Sequence, residues 1–511
     1  MVQARLPEAL EIKTSGQALV RSERRIALLI FLPLLVCYAY FFPRWADWNQ
    51  NSRLNLVMAV VDRGVLYIDD YYEGYTATGD YAEYEGHIYS TKAPGSGFLG
   101  VPVYWAFQKV VGGGMARWAL GLLRSNEAVG TTLTAGGSGL LPEKLHAALA
   151  LYLVTLFTVS IPSALLGVLL YRSAGHFVPA PAPRVWAVLA YGLATSAFPY
   201  SGSFYGHQIV AVLLFVAFYL SFLIGRGKLS PAFAVGVGGL LGYAVITEYP
   251  AALVAGAVLL YLYHRLPQKR WVGLAILGGL LPGLLWMGYN LAIFHKPVAF
   301  GYEHAPLWQD VNTAGFFSLV YPQPEALWGI TFGSFRGLFF LSPVLLLAIP
   351  GLYRLARDRA WRPEGWVSLW AAVGFLLFNG SSVMWQGGYA VGSRYLVPML
   401  PFLVLPLALF AEGWGRRGWA RGLIGVLSIW SLLAVWAETI GGQQFPDYTP
   451  NPLFRYSLPR LLAGDIARNL STVVGLSGWL SLAPLIAVLG CLSWVLARRL
   501  MTRRTALQEG L

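Results

Sequence analysis

The chain has 511 residues, of which 56% are apolar and only 12% are charged, and its mean hydropathy is +0.56. Soluble proteins carry about 25% charged residues, so this composition excludes a disordered chain, a disulfide scaffold and a cytosolic enzyme, and it requires a polytopic membrane protein. The net charge of +13 does not indicate a nucleic-acid partner, because most of the excess lies in short connections and tails, where it controls topology.

Twelve apolar runs predict twelve transmembrane helices, because a helix needs about 20 apolar residues to cross a bilayer. The sequence therefore predicts an all-α membrane domain over 26–497, between an N-terminal tail, 1–25, and a C-terminal tail, 498–511. The predicted crossings are 26–42, 146–171, 185–201, 208–224, 232–248, 250–264, 271–294, 338–353, 365–383, 395–411, 419–440 and 479–497.

Basic residues predict the orientation of these helices, because loops rich in Lys and Arg stay in the cytoplasm. Basic connections alternate with weakly charged ones, so both termini are predicted to be cytoplasmic and the acidic loop 43–92 to lie on the other side. One more apolar run, 93–111, would put Arg172 on the wrong side if it crossed completely. We therefore predict that 93–111 is short, tilted or re-entrant.

A glycine-rich run in the fifth predicted crossing, "GVGGLLG" at 236–242, superficially resembles a nucleotide-binding loop. No strand precedes it, and the run lies inside an apolar segment. The pattern instead favours close helix packing through small residues.

The first outer loop, 43–92, holds the densest chemistry of the chain. Apolar residues at near-helical spacing between Ser52 and Val61 predict a helix that lies flat on the membrane surface. Acidic residues interleaved with tyrosines follow it, and a solvated acidic loop is the alternative for each: Asp69, Asp70, Glu73, Asp80, Glu83 and Glu85.

The loop closes with "GHIYSTKAPG" at 86–95, which places Lys92 at the start of an apolar segment and so at the level of the lipid headgroups. A cation at this level can hold a lipid phosphate. The alternative is an ordinary lysine whose ammonium reaches up to water.

This layout resembles the GT-C superfamily of membrane glycosyltransferases, which includes protein O-mannosyltransferases and the aminoarabinose transferases that modify lipid A. "GHIYSTKAPG" is similar to the family signature G-x-x-Y-x-x-K-P-P, and "MWQGGYAVGSRYLVPMLPFLVLP" at 384–406 is similar to the family's late outer loop. The resemblance implies that Lys92 and Arg394 bind the phosphate of a polyprenyl-phosphate sugar donor. It also implies a bacterial inner membrane protein of the cell envelope with a periplasmic active site.

The signature in this chain has Ala93 and Pro94 in place of the two prolines, and the chain departs from the family pattern in three further places. The family has an Asp-Glu pair just after the first span, whereas the matching stretch here is "NQNSRLN" at 49–55. Either Asp70, Asp80 or Asp69 replaces the family acid, or the register of the match is different. The outer turn "TEYP" carries Glu248 where the family has a lysine, and "FYGHQ" offers His207 where relatives often have an acid.

The implied reaction moves a sugar from a lipid phosphate to a hydroxyl or amine. It needs a carboxylate base for the acceptor proton and cations for the leaving phosphate. Asp70 and Asp80 are the preferred bases and Asp69 is third. Each of the further candidates for substrate binding has a structural alternative, such as a cap or an interfacial anchor: His87, His207, Glu248, Glu303, His304, Arg336 and Trp385.

Three functions fit the sequence to different degrees. A glycosyltransferase is favoured over a transporter or flippase of a lipid-linked sugar, because acids concentrate in one outer loop and no two related halves are visible. A non-catalytic scaffold is the third alternative. The predicted partners are the lipid-linked donor, a lipid, glycan or protein acceptor and membrane lipids, without nucleic acid. No metal-ligand spacing stands out, and a divalent metal is compatible with the pattern.

Overall fold

The computed structural model describes residues 6–508 except 45–46, 111 and 316–317, and the described chain is almost entirely helical. Its α-helices are α1 (Leu6–Tyr40), α2 (Trp48–Met58), α3 (Gly95–Val110), α4 (Gly112–Arg124), α5 (Glu127–Gly130), α6 (Pro142–Thr155), α7 (Ile161–Ala174), α8 (Pro181–Leu193), α9 (Ala197–Ser201), α10 (Gly206–Gly225), α11 (Ala234–Thr247), α12 (Ala252–Arg265), α13 (Val272–Phe294), α14 (Gln309–Asn312), α15 (Pro324–Thr331), α16 (Leu338–Leu341), α17 (Ala348–Arg357), α18 (Arg362–Gly380), α19 (Pro401–Trp414), α20 (Gly418–Ile440), α21 (Leu458–Leu462), α22 (Leu470–Val473) and α23 (Ala483–Gln508).

Short 3₁₀ and π-helical turns connect or extend these helices. The 3₁₀ turns are Pro231–Phe233, Tyr249–Ala251, Lys269–Trp271, Gly301–His304, Pro306–Trp308, Pro343–Leu347, Arg394–Met399 and Gly478–Leu482, and the π-helical turns are Ala59–Arg63, Leu156–Ser160 and Leu453–Ser457. Two strands, β1 (Tyr81–Tyr84) and β2 (His87–Ser90), form one antiparallel hairpin.

Five helical segments in the described chain are long and apolar enough to cross a membrane: Pro142–Ala174, Gly206–Gly225, Lys269–Phe294, Gly418–Ile440 and Gly478–Thr502. All twelve predicted crossings coincide with helices or with short helices in series. The predicted class, a helical integral membrane protein, is therefore confirmed. The number of crossings stays a prediction, because several segments are shorter or broken, as where Ser342 and Pro343 interrupt 338–353.

Helix α3 occupies the ambiguous run 93–111. It has 16 residues with Pro102 inside, which is shorter than the roughly 20 residues of a complete crossing. Its length agrees with the prediction of a short segment, and its path relative to the bilayer stays a prediction.

The core forms where α1, α7, α8, α10 and α19 pack together. Leu34 and Tyr38 of α1 are buried there, as are Val188 of α8 and Leu214 of α10. Helix α1 thus runs through the centre of the helix assembly, and its end at Tyr40 leads directly into the first outer loop.

Helices α11 and α13 approach each other through glycines, as the "GVGGLLG" run predicts. A Cβ atom on Gly238 would overlap the carbonyl of Ala275, and one on Gly278 would overlap the carbonyl of Val235. The glycine-rich run is therefore a packing surface and not a ligand loop, which confirms the prediction.

The first outer loop contains a helix, and the rest of the loop covers it. Helix α2 begins at Trp48, four residues before the predicted start, and every residue from Asn49 to Met58 is buried. The following chain wraps over it, because Asn51 and Asn55 donate hydrogen bonds to the carbonyls of Ala77 (2.9 Å) and Thr76 (3.0 Å). The path of α2 along the membrane surface stays a prediction.

The hairpin of β1 and β2 was not predicted, and its register organises the loop. Glu85 and Gly86 form its turn with positive φ angles of 49° and 83°, so that Tyr84 pairs with His87 and Tyr81 with Ser90. At the open end the Thr91 amide donates to the Asp80 carbonyl at 3.3 Å. Asp80 and the residues that follow β2 are therefore neighbours.

Candidate functional site

A cavity of about 860 Å³ lies where the first outer loop meets the ends of α10, α11, α12 and α18. Its charged and ionisable lining groups come from six separate parts of the chain: Arg44, Asp47, Arg53, Asp80, Lys92, His207, Glu248 and Arg394. Its apolar lining comes from Val210, Leu253, Phe375, Phe378 and Pro398. The cavity is thus lined by both charged and apolar side chains.

Asp80 and Lys92 meet inside this cavity. The Lys92 ammonium lies 2.8 Å from an Asp80 carboxylate oxygen, and each side chain is 12% exposed. The hairpin register brings them together, and the Ser52 hydroxyl of α2 donates to the Asp80 carbonyl at 2.6 Å. Two of the predicted site residues therefore form one ion pair.

Arg53, Glu248 and His207 form a second charged group in the cavity. The Arg53 guanidinium donates to Glu248 Oε1 at 2.7 Å and to the Ser96 hydroxyl at 2.5 Å. His207 Nδ1 lies 3.6 Å from the same Glu248 oxygen. Glu248 packs against Gly206, where a Cβ atom would overlap its carboxylate, so the acid sits at the N-terminus of α10, where the helix dipole favours a negative charge.

Arg394 is a cation without a carboxylate partner among the described residues. Its guanidinium donates to the Tyr395 hydroxyl at 3.2 Å and lies 5.3 Å from the ring centre of Tyr205. Its Nε atom is buried and has no hydrogen-bond partner in the described chain. Positive charge in the cavity is therefore available for an anionic ligand.

Asp47 is a cavity residue that the sequence analysis missed. It caps α2, accepting the Gln50 amide at 3.1 Å, and its other oxygen accepts the Tyr205 hydroxyl at 2.6 Å. Burial raises the pKa of Asp47 above its ordinary value of 3.8, although the Tyr205 and Gln50 hydrogen bonds oppose the rise.

A signal for Asp47 was present in the sequence. The residue follows the first predicted crossing, where the family resemblance implies an acid. The match of the family pattern to 49–55 leaves a different register open. Since α2 begins at Trp48, the acid in front of the helix is Asp47.

Seven predicted site residues lie outside the cavity. Asp69 contacts His87 at 2.7 Å, and both are partly exposed. Asp70 pairs with Arg63 at 2.8 Å on the surface. Glu303 is exposed and does not line the cavity.

The remaining three candidates pack against protein. His304 stacks on Phe294, with ring centres 5.2 Å apart. Trp385 packs against Gly329 and Phe335. Arg336 is fully buried and donates to backbone carbonyls of two loop segments, those of Gln386, Gly388, Ala390, Pro446 and Asp447. None of the three lines the cavity.

Within the described chain, no three His, Cys, Asp or Glu residues come together in a way that could hold a metal ion. We assign no metal to the cavity.

Comparison with known proteins gives one distant structural match. No family model matches the chain, and no curated protein does. A crystal structure of ArnT from Cupriavidus metallidurans bound to undecaprenyl phosphate is 13% identical, covers 96% of this chain and 79% of that chain, and has a TM-score of 0.43. A TM-score this low does not establish a shared fold.

Proposed function

We propose that this protein is a membrane glycosyltransferase that moves a sugar from a polyprenyl-phosphate donor to an acceptor at the non-cytoplasmic face. One observation carries the proposal: carboxylates and cations from distant parts of the chain meet in a single cavity that also has apolar lining residues. The role of each lining residue follows from the groups that it contacts.

The donor phosphate binds Arg394 and Lys92. Arg394 lacks a carboxylate partner among the described residues, so it can bind an anion without losing an ion pair. Lys92 exchanges part of its contact with Asp80 for the phosphate. Two cations at the leaving oxygen stabilise the negative charge that develops as the sugar–oxygen bond breaks.

The polyprenyl tail packs on the apolar lining of the cavity. The residues that supply this lining are Leu253 at the start of α12, Phe375 and Phe378 of α18, Val210 of α10 and Pro398. A branched hydrocarbon chain fits such a lining because it has no polar group to satisfy.

Asp47 acts as the base. Among the described residues, the Tyr205 hydroxyl and the Gln50 amide donate hydrogen bonds to its carboxylate, whereas Asp80 is engaged by the Lys92 ammonium. A carboxylate with a raised pKa accepts a proton more readily. The acceptor oxygen or nitrogen passes its proton to Asp47 and attacks the anomeric carbon. The bond from that carbon to the phosphate oxygen breaks, and the configuration inverts.

Glu248 and His207 contact the donor sugar. Only one Glu248 oxygen is tied to Arg53, and the side chain remains 15% exposed to the cavity. His207 Nε2 is buried and has no partner among the described residues. A carboxylate oxygen and an imidazole nitrogen are suitable partners for sugar hydroxyls.

Positive charge at the opposite helix ends supports the sidedness of the proposal. The ends of α7, α10 and α12 away from the cavity carry Arg172, Arg226 and Arg265. Because basic loops stay in the cytoplasm, the cavity faces the other side of the membrane.

Binding of the donor lipid tests the proposal. Full-length protein in nanodiscs is titrated with undecaprenyl phosphate and with undecaprenol, which lacks the phosphate. We expect saturable binding of the phosphate only, weakened about tenfold or more by Lys92→Ala or Arg394→Ala, because each removes a charged partner of the phosphate. The control is Lys109→Ala, which removes an exposed lysine outside the cavity.

Transfer of the sugar is measured with the polyprenyl-phosphate sugar that is extracted from membranes of the cells that produce the protein. Asp47→Asn should lower the transfer rate about a hundredfold or more while lipid binding persists. Equal binding of undecaprenol and its phosphate contradicts the proposal. Translocation of the lipid with its sugar–phosphate bond intact favours a flippase instead.

A further inference from the structure

Four aromatic side chains line the mouth of the cavity, and no role in donor chemistry accounts for them. They are Trp48, Trp308, Tyr389 and Tyr448, which we call the aromatic rim. Trp48, Tyr389 and Tyr448 are 48%, 52% and 54% exposed. Rings that are half exposed at the mouth of a cavity present an apolar face to whatever enters.

The two tryptophans contact the chain segment that carries Asp80. The Trp48 ring lies so close to Gly79 that a Cβ atom there would be 2.5 Å from it. The Trp308 indole nitrogen donates to the Gly79 carbonyl at 3.1 Å, and the Thr78 hydroxyl donates to the Trp48 carbonyl at 2.8 Å. Both rings are therefore fixed next to a residue of the reaction site.

The two tyrosines form a pair, and one buried arginine binds the backbone next to each of them. Their ring centres are 6.4 Å apart in an edge-to-face arrangement. The buried Arg336 donates to the Gly388 carbonyl at 2.7 Å and to the Asp447 carbonyl at 2.9 Å, the residues immediately before Tyr389 and Tyr448. The Arg336 side chain thus fixes both loop segments, and the rings of Tyr389 and Tyr448 line the cavity.

The charges of the cavity disfavour an anionic molecule at the rim. The basic residues of the described lining are Arg44, Arg53, Lys92 and Arg394, together with His207, which faces Glu248. Arg53 and Lys92 are paired with acids, and Arg44 is bound to the backbone carbonyls of Glu438, Thr439 and Gln444. Arg394 is required for the donor phosphate, so no cation is left for a phosphate on the acceptor.

Side-chain amides and hydroxyls also line the cavity. Asn312 and Gln444 line the cavity, and so does Asn379, which is 2% exposed. The Asn379 amide nitrogen has no hydrogen-bond partner in the described chain. Amides hydrogen-bond neutral hydroxyl groups through both their oxygen and their nitrogen.

We propose that the aromatic rim binds a neutral carbohydrate chain as the acceptor. Sugar rings present C–H faces that pack on aromatic rings and hydroxyl edges that pair with amides, and they carry no charge that would need a free cation. This inference rests on the proposed transferase activity, because it identifies the substrate class on the acceptor side of the same site.

Binding of oligosaccharides in the absence of donor tests the inference. Saturation-transfer NMR and calorimetry are run on full-length protein in nanodiscs with neutral gluco-, manno-, galacto- and arabino-oligosaccharides. At least one should bind saturably. Tyr389→Ala and Tyr448→Ala should each weaken it about tenfold, whereas Tyr448→Phe, which keeps the ring, should not.

Matched controls are Trp118→Ala and Tyr321→Ala, which remove aromatic rings that are 65% and 72% exposed and lie outside the cavity. Gly79→Ala, which pushes against Trp48 without removing any ring, should weaken binding as well. The inference is overturned if no oligosaccharide of the panel binds, or if the rim variants bind as well as the controls. It is also overturned if a Ser/Thr-rich peptide binds the rim and the sugars do not.

Undecaprenyl phosphate binding is measured separately on the same rim variants. Because the rim does not contact the phosphate, this binding should be unchanged. Loss of sugar binding with lipid binding retained in all variants supports the acceptor site. If the wild-type protein does not bind the lipid phosphate, the proposed donor is wrong. The oligosaccharide titration is done without donor and tests the acceptor site separately.

Discussion

Asp47 and Asp80 are carboxylates of the same cavity, yet their neighbours give them different chemistry. Asp80 contacts the Lys92 ammonium, whereas Asp47 accepts hydrogen bonds from the Tyr205 hydroxyl and the Gln50 amide. Loss of water from the charged form raises the pKa of Asp47 above its ordinary value. The proposed base thus accepts a proton more readily than an ordinary aspartate, and Asp80 keeps Lys92 in place.

The raised pKa of Asp47 predicts an acid limit of activity. As pH falls through that pKa the carboxylate takes up a proton and can no longer act as base, so kcat/KM should fall at a pH above the ordinary aspartate value of 3.8. Tyr205→Phe removes a hydrogen bond that stabilises the charged form. The pKa then rises further, and the acid limb should move about one pH unit upwards.

The measurement is a pH profile of transfer in nanodiscs for the wild-type protein and two tyrosine variants. Tyr395→Phe is the control, because the Tyr395 hydroxyl bonds to Arg394 and not to Asp47. It should affect donor binding and leave the acid limb in place. If the acid limb lies at the same pH in Tyr205→Phe as in the wild-type protein, Asp47 is excluded as the base.

Sequence motifs predicted the cations of the site better than its acids. Lys92 and Arg394 each belong to a short pattern next to an apolar run, and the structure brings both into the cavity together with Asp80. Asp69 and Asp70 looked equivalent to Asp80, because local composition does not say which side of a loop an acid faces. The hairpin register decides this, and a four-residue strand pair leaves too little periodicity in the sequence to be recognised.

At the scale of elements, small-residue packing was predictable because it depends on local spacing alone. Gly238 on α11 meets the Ala275 carbonyl on α13, as the glycine-rich run indicates. The burial of α2 was not predictable in the same way. Its Asn51 and Asn55 suggest a wet surface, and only the later chain supplies the carbonyls that they bind.

The contact of α11 with α13 predicts a difference between two glycines on one helix. Gly238→Val places a side chain against the backbone of Ala275, so the helices must separate, and the free energy of unfolding should fall by about 1–3 kcal/mol. Gly236→Val makes the same chemical change where nothing lies within 4 Å, and it should leave stability nearly unchanged. Thermal unfolding in detergent compares the two, and equal melting temperatures would contradict the close packing.

At the scale of the whole molecule, hydropathy predicted the helical membrane class and the position of every predicted crossing on a helix, because burial in lipid acts on each segment separately. The cavity could not be located in this way. Asp47, Lys92, Glu248 and Arg394 are far apart in the chain, and the packing of α1, α10 and the first outer loop brings them together.

The two helices α12 and α18, which line the cavity at one end, are joined by a polar contact at the other end. Glu364 at the start of α18 is fully buried and accepts hydrogen bonds from Tyr261 (2.7 Å) and Arg265 (2.5 Å) of α12. This contact lies outside the cavity that holds the proposed base. It should therefore stabilise the helix pair without taking part in proton transfer.

Glu364→Gln keeps the shape of the side chain but removes the charge that Arg265 binds. Because a buried charged hydrogen bond is lost, the free energy of unfolding should fall by about 1–3 kcal/mol, while the acid limb of the pH profile stays where it is. Glu143→Gln makes the same change at an exposed position and should alter neither. A shifted acid limb in Glu364→Gln would show that the Glu364 contact influences proton uptake at the base. Unchanged stability would mean that α12 and α18 are held together by their apolar contacts alone.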